Sequence, residues 1–264
     1  MRFFALGLLL WVCAASAQIP GIFGDVLRSV QKSAAPEDDE LKIGRQLAGN
    51  LLGAVPLVKD AKLQRYVNRV GRWVASQSER PELKWYFGVL DSDDINAFAL
   101  PGGYVFVTRG LFNLLASEAE LAGVLGHEIG HVVLKHHLKV LKQSQMVDLV
   151  SGLVSSQAGG DAVTQRVLGK GAEALARGLD KDAEFEADRA GVVLATRAGY
   201  SPYGLPLALR SIAERNPREA SLALLFKTHP LPQDRLQKLG DAMGDAFERY
   251  DDGKLLKERF ALAK

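Results

Sequence analysis

The sequence predicts an α+β domain, mainly α, with a small antiparallel sheet beside one strongly apolar helix. Three observations carry this prediction. Apolar residues recur at three- and four-residue spacing along much of the chain, as in Leu63, Val67, Val70 and Val74. The window from Glu82 to Val107 breaks instead into short β-rich runs separated by turn residues. Finally, Val124-Leu125-Gly126-His127-Glu128-Ile129-Gly130-His131-Val132 sets an HExxH pattern inside a helix that is apolar on most sides.

The chain opens with Met1-Arg2, an apolar run from Phe3 to Val12, and Ala15-Ser16-Ala17, the layout of a signal peptide at 1–17 cleaved before Gln18. A lipoprotein signal ending at Cys13 ranks below it, because Val12 is not a small residue. The run is also shorter than the ~20 residues a spanning helix needs. Cleavage leaves 247 residues, enough for one large domain. It also removes the single cysteine, so the expected periplasmic protein is stabilised by packing and metal rather than by disulfides. Lys and Arg total 33 against 31 Asp and Glu, which gives no basic surface for nucleic acid.

Residues 18–40, rich in Gly, Pro, Ser and charge, are expected to be a leader, loose or with a short helix around Phe23 to Lys32. The domain proper is expected at 41–264. Leu41 to Leu52 and Ala61 to Ser76 are predicted helices, broken at Val55-Pro56. Predicted strands are Lys84 to Leu90, Asn96 to Leu100 and Tyr104 to Val107; Asp91 to Asp94 and Pro101-Gly102-Gly103 are the turns between them. Ser117-Glu118-Ala119-Glu120 is a capping box that starts the HExxH helix. Gln143 to Gly178, punctuated by glycines, predicts one or two helices placed to line a cleft. A helix from an N-cap at Asp182 to Ala198, stopped by Gly199 and Pro202, comes next. Tyr203 to Arg215 and Pro232 to Tyr250 are two more, ahead of a charged tail from Lys254 to Lys264.

The chemistry follows from helical spacing. Residues four apart share a face, so His127 and His131 can offer two imidazole nitrogens to one ion, while the neighbouring Glu128 is placed to act as general base on the attacking water. With five His and 31 Asp and Glu in 264 residues, a chance HExxH is about a one-in-a-hundred event. A catalytic zinc wants a third protein ligand and an open position. His136 and His137, five and six residues past His131, turn away from the metal side and read as surface groups or as groups in the layer behind the ligands. Glu184 is a better candidate. Asp188, four residues on, shares its face and could accept the second ring proton of His127 or His131, while Glu186 points nearly opposite. On these grounds alone the acidic helix could equally be a solvated face paired with Lys181 and Arg189. His229, in Thr228-His229-Pro230, reads either as part of a capping turn or as a group that swings toward the metal. There it would either stabilise an oxyanion or mask the open position. Arg235 is expected to anchor this loop on a carboxylate.

Taken together, Asn96-Ala97-Phe98-Ala99-Leu100-Pro101-Gly102-Gly103, His127 to His131, Glu184 to Asp188, Ala198-Gly199-Tyr200-Ser201-Pro202 and Thr228-His229-Pro230 resemble the zinc metallopeptidase family of the CAAX prenyl protease and HtpX. Within that family the chain is most similar to the soluble periplasmic branch of envelope quality control, that of BepA and LoiP. The resemblance spans roughly Leu41 to Leu239. It implies a zincin-like, glutamate-type (gluzincin) domain with one Zn2+ per chain held by His127, His131 and Glu184, with Glu128 as base and Asp188 behind the ligands. Lys181 departs from the Arg that relatives often carry, and no tetratricopeptide pattern follows Leu239. The expected activity is endoproteolysis of unfolded or misassembled envelope proteins. Asn96, Ala97 and Phe98 would form the edge that aligns substrate by strand addition. The resemblance admits contact with the outer-membrane assembly machinery and peripheral membrane association. The rival is a binding or assembly factor with a structural or masked zinc; Glu128 speaks against it and His229 keeps it open.

Overall fold

The computed structural model describes residues 37–143 and 179–264. The expected signal peptide, the expected helix around Phe23 to Lys32 and the helices expected between Gln143 and Gly178 therefore fall outside the described residues.

Helix α1 (Glu37–Ala54) begins inside the stretch read as leader. Its Glu40 is the reason: the buried carboxylate accepts from both Nη atoms of Arg80 at 2.8 and 3.1 Å and from the Gly102 amide at 3.1 Å. Helix α2 (Ala61–Ala75) is capped by Asp60, which accepts from the Lys62 and Leu63 amides. Its Val67, Val70 and Val74 face the core.

Strands β1 (Tyr86–Leu90), β2 (Ala97–Leu100) and β3 (Tyr104–Thr108) form a sheet of order β1-β3-β2. The expected antiparallel sheet is corrected to a mixed one. β2 and β3 form the predicted antiparallel hairpin, with Gly102 and Gly103 at φ +76° and +89° turning the chain after Pro101. β1, however, pairs parallel with β3. The connection 91–96 carries the chain past the position next to β1, and β3 fills it, so β2 is left at the edge. Alternation of apolar residues locates strands but is blind to their order.

After a short α3 (Arg109–Leu114), helix α4 (Glu118–Val133) runs through the centre of the molecule, and all 16 of its residues are buried. The capping box forms with a shift: Ser117 Oγ accepts from the Glu120 amide, and the Glu120 carboxylate accepts from Ala116 N rather than Ser117 N. Helix α5 (His136–Gln143) follows, then α6 (Lys181–Arg197). The cap of α6 is Asp180, not Asp182, because its carboxylate accepts from the Ala183 amide at 2.7 Å.

Helix α6 lies directly on α4. A Cβ at Gly126 would come 2.8 Å from the Gly191 carbonyl oxygen, and one at Gly191 would come 2.8 Å from the His127 nitrogen. Two glycines thus let the helix backbones touch, which brings the first turns of α6 onto the HExxH residues. Helices α7 (Gly204–Ala213), α8 (Leu225–Thr228) and α9 (Pro232–Met243) close the other flank. The predicted helix to Tyr250 stops at Met243 and continues as a 3-10 stretch, Gly244–Tyr250. The charged tail is docked: α10 (Lys257–Ala261) buries Phe260 and sets Arg259 on Glu118. Among the described residues no helix is long and apolar enough to cross a membrane.

Candidate active site

His127 and His131, one turn apart on α4, bring their Nε2 atoms to 3.0 Å from each other. Both rings are buried. From the first turn of α6, the Glu184 carboxylate reaches in, with Oε2 at 3.7 Å from His127 Nε2 and Oε1 at 3.5 Å from His131 Nε2. His229 arrives from the other flank as the C-cap of α8, its Nδ1 at 2.7 Å from Glu184 Oε2. One ligating atom from each of these four residues falls within 4.8 Å of all the others.

Asp188, one turn after Glu184, places Oδ1 2.9 Å from His127 Nδ1. Arg235 on α9 clamps the same carboxylate through Nε at 2.9 Å and Nη2 at 2.5 Å. An ionised carboxylate only accepts, so His127 donates from Nδ1 and leaves Nε2 bare toward the centre. Burial opposes the charge on Asp188, but the Arg235 cation and the His127 hydrogen bond outweigh it and hold the carboxyl well below its usual range. Burial likewise opposes charge on Glu184, and there His229 reverses the balance and lowers its pKa. Burial, reinforced by the neighbouring imidazoles, drives the His131 pKa well down, so this ring is neutral, the form that binds metal. Glu128 differs: burial raises its pKa above the ordinary carboxyl value, against the pull of His127.

These residues fit a zinc ion. Glu184 Oε1 is buried without a hydrogen-bond partner among the described residues, a state that costs free energy unless a cation is supplied. Two imidazole nitrogens and a carboxylate oxygen are a donor set zinc prefers, and the ring of His127 is already oriented by Asp188.

The cleft beside this cluster holds a cavity of about 290 Å3 lined by Leu51, Phe98, Leu100, Glu128, Glu184 and His229, among others. Ala97 and Phe98 line it. Asn96 does not: its side chain is wholly buried, and neither amide atom has a partner among the described residues. His136 lies in the layer behind the ligands and not on the surface. It is 2% exposed and its Nδ1 lies 2.9 Å from His131 Nδ1, because the helix whose spacing turned it away from the site ends at Val133. His137 is turned inward as well; burial, then His136, lowers its pKa to about 3.

The model of peptidase family M48 matches residues 61–243, which spans the sheet, the HExxH helix, Glu184 and His229. The chain belongs to peptidase family M48. Among similar M48 proteins, the beta-barrel assembly-enhancing protease of Escherichia coli (strain K12) is 29% identical over 235 residues, 85% of this chain and 47% of the relative. The mitochondrial metalloendopeptidase OMA1 of Schizosaccharomyces pombe is 30% identical over 186 residues, 69% of this chain and 53% of the relative. Metalloprotease YcaL of Escherichia coli (strain K12) is 31% identical over 157 residues, 59% and 61% of the two chains. The chain thus spans about half the length of the beta-barrel assembly-enhancing proteases it matches.

Missed from the sequence were the partner of Arg235 and the whole environment of His136. The Asp188–Arg235 pair joins residues 47 apart and has no local signature.

Proposed function

We propose that this M48 member is a zinc-dependent metalloendopeptidase with a zincin-like, glutamate-type site, in which His127, His131 and Glu184 hold the ion and Glu128 is the general base. The observation that carries the reading is the convergence of both HExxH imidazoles on a buried carboxylate whose Oε1 has no hydrogen-bond partner among the described residues, with Glu128 lining the same cavity. Zinc, when bound, supplies Lewis acidity toward the scissile carbonyl and the attacking water. Glu128 takes the proton from that water and delivers it to the leaving amine nitrogen. β2 is an edge strand, so the backbone from Ala97 to Leu100 can pair with an extended peptide and align it across the cleft. Such pairing reads main chain, which suits unfolded substrates.

The signal-peptide pattern expected at 1–17 and the names of the similar proteins support a periplasmic envelope protease acting on misfolded or misassembled outer-membrane proteins, near their assembly machinery. The test is cleavage of casein and of unfolded outer-membrane protein by purified protein. Cleavage by the wild type and none by a folded Glu128→Gln variant is expected; equal cleavage by both removes Glu128 as the base.

Of the two roles open to His229, its contact with Glu184 favours masking. His229→Ala should then raise basal casein cleavage several-fold. A fall in turnover assigns His229 to the oxyanion instead.

A further inference from the structure

The two histidines of the HExxH helix are backed in different ways. Behind His127 stand Asp188 and Arg235, both buried. Behind His131 stands His136, placed there by a turn: α4 ends at Val133, Lys135 adopts φ 57°, and α5 starts at His136 on a new course. The turn sets the two rings nearly edge to face, with centroids 5.2 Å apart and an interplanar angle of 71°. On the far side of His136, Nε2 lies 3.2 Å from Glu186 Oε2, and the Glu186 side chain is 38% exposed.

We propose that His136 and Glu186 are positioning residues that fix the tautomer and orientation of His131 through a hydrogen-bonded relay reaching the protein surface. The proton positions follow from the ends of the chain. An ionised carboxylate only accepts, so His136 donates from Nε2. Its Nδ1 is then an acceptor, and the 2.9 Å contact requires His131 to donate from Nδ1. His131 is left with a bare Nε2, which is the atom facing His127 Nε2. Without Glu186 the relay loses its direction, since His136 could then carry its proton on Nδ1 and force His131 to carry one on Nε2, where it would block ligation. Sequence spacing hid both residues: it turned His136 away from the site and put Glu186 opposite Glu184, and the bend at Lys135 brings α5 over the side of α6 that Glu186 occupies.

The inference rests on His131 being a metal ligand, and the test separates the two claims. Zinc dissociation constants of the full protein are measured by chelator competition, and ring 15N shifts of the metal-free protein report the His131 tautomer. His136→Phe, which keeps a ring and loses both hydrogen bonds, should weaken zinc binding by about 10–100-fold. It should also abolish the Nδ1–H signature of His131. His136→Gln, whose amide can accept from His131 and donate to Glu186, should recover most of the affinity. Glu186→Ala, at a partly exposed position that does not threaten the fold, should weaken zinc binding in the same direction. Wild-type affinity and tautomer in both Glu186→Ala and a folded His136→Phe overturn the relay. Wild-type zinc affinity in His131→Phe overturns the ligand assignment itself.

Discussion

At the scale of single residues, the site is a set of buried charges that make sense only together. Asp188 is 1% exposed and Arg235 5%, and each is the other's counter-ion. Replacing Arg235 by Leu leaves a buried carboxylate with His127 alone, so thermal or urea unfolding should show a loss of about 3–5 kcal/mol. Zinc affinity should fall with it, because His127 loses its fixed acceptor. Glu118 gives a pH-dependent case. Its buried carboxylate accepts from Tyr66 Oη at 2.7 Å, Tyr200 Oη at 2.6 Å and Arg259 Nε at 2.6 Å. Burial favours the neutral acid, but these donors outweigh it and hold the pKa below its ordinary value. The folded pKa is the lower one, so the stabilisation is fully present above the unfolded value of about 4.3 and is lost as pH falls through the folded value. Urea titrations at several pH values should therefore give Glu118→Gln a flatter acid limb than the wild type. Parallel limbs contradict the assignment. Glu184 and Asp188 could be picked out from the sequence because four-residue spacing within one helix is a local rule. Arg235, His136 and Glu186 could not, since their roles depend on where separate helices meet.

At the scale of elements, the approach of α6 to α4 decides whether a site forms. Gly126 and Gly191 sit where the backbones meet, and any side chain there strikes backbone rather than a flexible group. Two effects of Gly191→Ala compete. Helix propensity favours Ala by about 1 kcal/mol. Overpacking costs about 1–3 kcal/mol and should win where the neighbour cannot move. The variant should melt lower and bind zinc more weakly, because Glu184 and Asp188 shift with α6. A melting temperature at or above wild type would mean the helices are not held at contact distance. Helix positions were legible from periodicity and caps, as with Ser117 and Asp60. The order of the strands was not, because β1 and β3 meet through a connection that no short-range pattern encodes.

At the scale of the whole molecule, the last segment packs on one end of α4 and the other end holds the chemistry. The segment after Gly253 folds back onto the start of α4: Ala119 N donates to Leu255 O at 3.2 Å, Arg259 pairs with Glu118, and Lys264 Nζ donates to the Asn113 and Leu115 carbonyls. A larger cavity, about 1080 Å3, lies at this end, around Glu118 at the start of α4 and away from the HExxH residues. Size alone would misplace the active site; the convergence of His127, His131 and Glu184 locates it in the smaller cleft under β2. On the proposed function, these three side chains hold one catalytic zinc while Glu128 moves the proton. The most direct measurement is metal content and casein cleavage on the same preparations of wild type, Glu128→Gln and Glu184→Ala. One zinc per chain with cleavage in the wild type, retained zinc without cleavage in Glu128→Gln, and loss of zinc in Glu184→Ala is the predicted result. Full zinc in Glu184→Ala, or wild-type cleavage by Glu128→Gln, would contradict it.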